Sequence, residues 1–188
     1  MTVAKPASLT LEEFLQLPET KPPSEYVNGQ IIQKPMPKTR HARLQGKLIE
    51  AINAVTETQK IAYAFPELRY TFGDRSIIPD ISVFLWQSIA LDENAEPLDT
   101  VLIPPNWTIE ILSPNQSSNH VTGNILHGLN YGCQLGWLID LDDRSVMIFQ
   151  PQRQPTLLYQ DDRLRVLDEI ELELTVVQLF GWLKMGVE

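Results

Sequence analysis

Residues 107–112 read Trp107-Thr108-Ile109-Glu110-Ile111-Leu112, an apolar run of strand length with a carboxylate at its centre. Short apolar runs of this kind form strands buried on both faces. A carboxylate inside one is costly unless it is paired, protonated or bound to a metal. Upstream, Pro79 and Asp80 open a second apolar run, Ile81-Ser82-Val83-Phe84-Leu85-Trp86. If these two strands are neighbours, Asp80 and Glu110 meet, and two carboxylates with room for water suit a hard divalent cation. Two plainer readings stay open. Glu110 could pair with a buried Arg or Lys, and Asp80 could bond to local backbone at its strand start.

The remaining elements are marked by local chemistry. Thr10 and Glu13 spell a capping box, with Leu9 and Phe14 placed as a hydrophobic staple, and Pro18 ends that helix. Asn28-Gly29 between β-prone residues predicts a type I′ hairpin carrying Glu25, because both central turn positions need positive φ. Leu44, Leu48, Ala51, Ile52 and Val55 recur at helical spacing within residues 39–56. Residues 61–72 read as extended, 87–106 as a long polar loop and 113–119 as a polar turn. A helix is expected over 121–131 with Gly132 behind it. A strand over 136–140 and one over 145–149 form a second hairpin, and short strands follow near 156–159 and 164–167. Thr175 caps a last helix over 176–185. This order predicts one domain over residues 1–188, an α/β or α+β arrangement of a mixed sheet flanked by helices.

Charge limits the function classes. Fifteen Lys and Arg stand against 24 Asp and Glu, a net charge of −9. Such a chain can present only a local basic face to nucleic acid. Lys34, Lys38, Arg40, Arg43 and Lys47 are the candidates for one, and a solvated helix face is the alternative. No apolar run approaches membrane-spanning length, so no membrane partner is expected. Met1 to Pro6 lacks the apolar core of a secretory leader, and the single Cys133 suits a reducing compartment, so a cytoplasmic location is expected. Cys133 itself reads as structural filler. There is no glycine-rich phosphate loop, no G-x-S-x-G elbow and no Cys/His metal spacing. The acidic set is what remains: Asp80 and Glu110, with Glu25 and Glu67 able to complete it and His41 and Gln45 one helical turn apart at its rim.

Four ordered blocks resemble the Uma-two family. They are Glu25-Tyr26-Val27-Asn28-Gly29 with His41, Ile78-Pro79-Asp80-Ile81-Ser82-Val83, residues 107–114, and Gly136-Trp137-Leu138-Ile139-Asp140. The likeness runs from about residue 10 to 150. It implies the restriction-endonuclease-like fold of the PD-(D/E)XK nuclease superfamily, with a four-stranded mixed core sheet between helices. It also implies metal-dependent cleavage of DNA, with Mg²⁺ or Mn²⁺ held by Asp80, Glu110 and the carbonyl of Ile111. Glu25 resembles the N-terminal acidic residue of that catalytic set, while His41, Gln45 and Glu67 would support the ligands from outside. A homodimer is expected, because cutting two strands takes two sites.

One position departs from the pattern. The superfamily follows its acid with x-lysine, and Leu112 occupies that place. The family commonly moves the lysine to the next helix, which here falls on Gly123-Asn124. No Lys or Arg occurs between Arg75 and Arg144. A substitute could come from the Lys34, Lys38 or Lys47 region, although nothing in the sequence selects one. Two functions therefore stand side by side: a metal-dependent endonuclease, and a catalytically degenerate nuclease-fold domain that binds nucleic acid or a protein partner. A purely structural domain is the third.

Overall fold

Local signals and tertiary packing set different parts of the architecture. The computed structural model describes residues 9–114 and 116–186. Met1 to Pro6 and Asn115 of the polar turn lie outside the described residues. Helix α1 (Leu11–Leu15) starts at the expected capping box: Glu13 N–H donates to Thr10 Oγ1, and Thr10 N–H donates to Glu13 Oε2 at 2.8 Å. Strands β1 (Ser24–Val27) and β2 (Gln30–Gln33) form the Asn-Gly hairpin, with φ of 53° at Asn28 and 80° at Gly29. The turn fixes the register Glu25↔Ile32, and the Lys34 N–H to Pro23 carbonyl bond at 2.9 Å carries the ladder one step further. Glu25, Ile32 and Lys34 consequently share one face of the hairpin. Helix α2 (Thr39–Thr56) follows, and it buries Leu44, Leu48 and Ile52.

Next come β3 (Ala62–Pro66), β4 (Tyr70–Phe72), β5 (Arg75–Ile77), β6 (Ile81–Leu85) and β7 (Trp107–Ile111). Helix α3 (Ser118–Asn130) leads to β8 (Leu135–Asp140), β9 (Ser145–Phe149), β10 (Thr156–Leu158) and helix α4 (Val176–Gly181). The main sheet runs β10-β9-β8-β7-β6-β3, parallel only between β7 and β8. It has six strands rather than the four implied by the resemblance, since β9 and β10 continue the ladder beyond the parallel pair. A second, antiparallel sheet runs β2-β1-β5-β4. The fold is thus the expected mixed α+β type.

Strand alternation sorts the main sheet's side chains. Ile81, Val83, Trp107, Ile109, Ile111, Trp137 and Ile139 join α2 and α4 in the principal core. There the Trp107 and Trp137 rings meet edge to face at 4.7 Å. The opposite face carries Asp80, Ser82, Thr108 and Glu110, all buried. Tyr70 of the second sheet reaches Thr108 at 3.4 Å, and α3 packs Val121 and Ile125 on Leu138 and Phe149 of this same main-sheet face. A carboxylate-bearing strand is therefore buried twice, once by the apolar core and once by the second sheet.

Three boundaries differ from the sequence expectations. Helix α3 begins at residue 118 rather than 121, because Ser117 accepts a hydrogen bond from His120 N–H and caps it. Residues 164–167 are not a strand. Leu164 and Leu167 insert into the principal core, and Leu164 N–H is satisfied by the Leu174 carbonyl instead of a sheet neighbour. Helix α4 stops at Gly181 rather than 185. Glycine is a poor helix former, and bonds from Trp182 to Leu179 and Leu183 to Phe180 tighten the last turn.

Gly136 seats α3 on the sheet. Its backbone lies against Ile125 Cγ2, where an added Cβ would collide, and the β-branched Ile125 has little rotamer freedom to retreat. Gly136→Ala is expected to cost about 1–3 kcal/mol through overpacking. Urea unfolding measures it, and an unchanged midpoint would contradict this account of the contact.

Candidate active site

The β6–β7 register brings the two carboxylates together. Ile81 pairs with Ile109, so one further step sets Asp80 opposite Glu110. Asp80 leaves the second sheet at β5 and enters the main sheet at β6, at the junction of the two. Its Oδ2 accepts the Ile111 N–H at 2.7 Å. Its carbonyl accepts Gln45 Nε2 at 2.7 Å and Glu67 N–H at 3.1 Å.

A cation lies between the carboxylates. Lys34 Nζ donates to Asp80 Oδ1 at 2.8 Å and to the Ile78 carbonyl at 2.6 Å, and stands 3.8 Å from Glu110 Oε2. The hairpin register delivers it there, four residues after Gln30 of the turn-closing pair and two beyond Ile32 on the Glu25 face. The paired reading of Glu110 has a structural counterpart in its approach to Lys34, whereas the Asp80 side chain bonds the backbone of the neighbouring strand at Ile111 rather than local backbone at its own strand start.

Glu25 is fully partnered. Oε1 accepts the Ile78 N–H at 2.8 Å. Oε2 accepts Asn124 Nδ2 at 3.1 Å and lies 3.3 Å from His120 Nε2. The Asn124 amide is oriented by Arg75, whose Nη1 lies 3.3 Å from Asn124 Oδ1 and 2.9 Å from the Gly123 carbonyl. Asn124, one of the two residues at which the lysine of the family pattern is expected, donates to Glu25.

Burial and charge pull the site in opposite directions. Burial opposes ionisation of Asp80, but Lys34 and His41 outweigh it and hold its carboxyl down at about 2. Burial pushes Glu110 well above the usual carboxylate range, and the pull of Lys34 does not offset it. Burial also disfavours the Lys34 ammonium, yet Glu110, Asp80 and Glu25 together keep its pKa above the ordinary lysine value. The cluster is thus a charged lysine, an ionised Asp80 and a Glu110 that holds its proton more tightly than a free glutamate.

The supporting residues divide. His41 is buried, with Nδ1 3.3 Å from Ser113 Oγ and Nε2 3.4 Å from Asp80 Oδ1, where Nε2 makes no hydrogen bond. Gln45 holds the Asp80 backbone. Ile111 meets Asp80 through its amide. The exposed Glu67, at φ 44°, offers its backbone to Asp80 and its side chain to the rim. Lys34, His41, Glu67, Asp80 and Gln116 border a cavity of about 240 Å³. A second cavity, of about 490 Å³, is bordered by Lys34 and Gln116 as well as by Glu25, Ser117 and His120. Among the described residues, no three His, Cys, Asp or Glu side chains are gathered as a metal cage.

Of the other basic candidates, Arg40 pairs with Asp142, Arg43 Nε donates to the Trp182 carbonyl at 2.6 Å, and Lys47 pairs with Glu50. Cys133 is buried, which pushes its thiol up to about 11, and its Sγ lies 3.1 Å from the Leu135 carbonyl, in keeping with filler. No helix among the described residues is long and apolar enough to cross a membrane.

His120 and Arg75 were not among the residues singled out by sequence, and Asn124 was marked only as part of the expected lysine position. Recognising Ser117 as an N-cap would have set His120 in the first turn of α3. No comparable signal marks Arg75.

Comparison with known proteins adds a family. The Uma2 family model, described as "Putative restriction endonuclease", matches residues 11–179. A crystal structure of a "putative nuclease belonging to DUF820" from Anabaena variabilis ATCC 29413 is similar at 51% identity and a TM-score of 0.91. The match covers 93% of this chain and 99% of that one. No curated protein matches the sequence.

Proposed function

The chain belongs to the Uma2 family, and from that premise we propose that it is a divalent-metal-dependent phosphodiesterase that cleaves DNA. The observation that carries this reading is Lys34 Nζ, seated between Asp80 and Glu110 where a nuclease of this fold needs a cation. The donor set fits Mg²⁺ or Mn²⁺: two buried carboxylates of hard oxygen ligands, beside a buried His41 whose Nε2 faces Asp80 Oδ1 at 3.4 Å. Asp80 and Glu110, with the Ile111 carbonyl, would hold the ion. Bound there, it would supply Lewis acidity and a more acidic water.

The chain's own residues supply the rest. An ammonium has three N–H donors, and Lys34 spends two on Ile78 and Asp80. The third is available to an oxygen in the adjoining cavities, either the attacking water or a phosphate oxygen. Gln45 and the Ile111 amide keep Asp80 fixed, so the acceptor geometry is set before substrate arrives. Incubation with linear DNA in Mn²⁺, with and without a chelator, tests the reading. Metal-dependent scission supports it, and no scission in either condition contradicts it.

The Glu110 shift gives a pH dependence. Its folded pKa lies above the ordinary 4.5, so below that folded value the carboxyl still carries a proton that an incoming cation must displace. Mn²⁺ affinity is therefore expected to rise with pH through this range, with proton release on binding. Calorimetric titrations at about pH 5.5 and about pH 8, in buffers of different ionisation enthalpy, measure it. Equal affinity at both, with no proton release, would contradict the assignment of Glu110 as a ligand.

A second reading rests on the same lysine. Lys34 satisfies the buried acids on its own, and Asn124 stands at the helix position where the family lysine is expected. A degenerate domain that binds nucleic acid or protein without cutting would look the same, and it predicts no metal-dependent turnover.

A further inference from the structure

We infer that His120 is the proton donor to the leaving oxygen, positioned by Glu25; this rests on the phosphodiesterase reading above. Three observations carry it. His120 Nε2 is 3.3 Å from Glu25 Oε2, and the His120 side chain is 22% exposed while that of Glu25 is 4% exposed. A buried carboxylate behind a partly exposed imidazole fixes the ring and leaves one nitrogen for chemistry. The other ring nitrogen, Nδ1, makes no hydrogen bond among the described residues. Finally, His120 and Lys34 border the same cavity, so an ester held by Lys34 lies within the same space as the imidazole.

The orienting carboxylate is itself fixed. Asn124 Nδ2 and the Ile78 N–H donate to Glu25, and Arg75 holds the Asn124 amide. Ile78 also gives its carbonyl to Lys34. One residue's amide and carbonyl thus tie the Glu25–His120 pair to the lysine and hold the two halves of the site in register. This gives Glu25 a task distinct from metal binding.

The step balances. A water oxygen forms a bond to phosphorus, and the phosphorus–oxygen bond to the leaving group breaks with its electron pair on the leaving oxygen. The imidazolium of His120 passes its proton to that oxygen and becomes neutral. The attacking water yields a proton to solvent, and solvent reprotonates His120 before the next turnover. The products are an alcohol and a phosphomonoester. An alkoxide leaving group needs the proton, whereas a nitrophenolate leaves unaided.

The test compares His120→Ala and His120→Gln with wild type, on DNA and on a nitrophenyl ester of a nucleoside phosphate, in Mn²⁺. Glutamine can still donate to Glu25 but cannot supply a proton to the leaving oxygen. Both variants are expected to lose roughly 10²–10⁴-fold on DNA and to keep the nitrophenyl rate nearly unchanged. Glu25→Gln is expected to show the same split, more weakly. Equal losses on both substrates, or no loss on DNA, overturn the proposal while wild-type activity leaves the phosphodiesterase reading standing. A wild type that cleaves neither ester overturns both.

Discussion

Asp80→Ala is expected to destabilise the protein by roughly 3–5 kcal/mol, the cost of leaving a buried charge without its partner. For a chain of this length that is a fall in Tm on the order of 10 °C. The charge is Lys34, whose side chain is 12% exposed and donates to Asp80 Oδ1 at 2.8 Å. The Ile111 amide loses its acceptor in the same substitution. Asp80→Asn keeps the shape and one acceptor oxygen, so it is expected to cost less. Thermal unfolding of the two variants beside wild type checks the order. The linkage has a definite sign. Asp80 has a folded value of about 2 against an ordinary 3.8, so its contribution is present above the ordinary value and is lost as pH falls toward 2. The gap between wild type and Asp80→Ala is therefore expected to shrink in acid.

Lys34→Met is expected to separate catalysis from metal binding. Removing a preorganised cation from a phosphoryl-transfer site costs on the order of 10²–10³ in rate. The same substitution removes a positive charge that competes for Asp80 Oδ1 and faces Glu110, so Mn²⁺ affinity is expected to rise. A methionine of similar length fills the space and limits the packing loss. Turnover falling while affinity rises is the signature of a lysine that acts on substrate. Were Lys34 only an internal counter-ion, the metal-loaded variant would cut as fast as wild type. Nicking rates at saturating Mn²⁺ and calorimetric affinities together decide between the two.

Parts of this site were legible in the sequence, and the reason differs from part to part. The capping box at Thr10, the Asn28-Gly29 turn and the span of α2 depend on neighbours in the chain, and the structure has them where the residue chemistry predicts. Residues 164–167 carry a strand-like pattern, but no sheet edge reaches them, and Leu164 and Leu167 serve the core as plugs. The end of α4 was overrun because apolar residues continue past Gly181 while the backbone does not. In the site, Asp80 and Glu110 stood out because acids interrupt apolar runs. Lys34 was one of several basic candidates and could not be selected among them, because its role depends on where the hairpin's sheet docks against the main sheet, and spacing along the chain carries no record of that. His120 was hidden behind a helix start placed three residues late. Glu25 was visible as an acid, while its dependence on Asn124 and Arg75 was not, since those contacts join residues about 50 to 100 positions apart.

The most direct test of the central claim is plasmid nicking. Wild type and an Asp80→Ala/Glu110→Ala double variant, each shown to be folded, are incubated with supercoiled DNA and Mn²⁺. A metal site at these carboxylates predicts nicking by wild type, none by the double variant, and none by wild type after chelation. Equal nicking by the two proteins would contradict it.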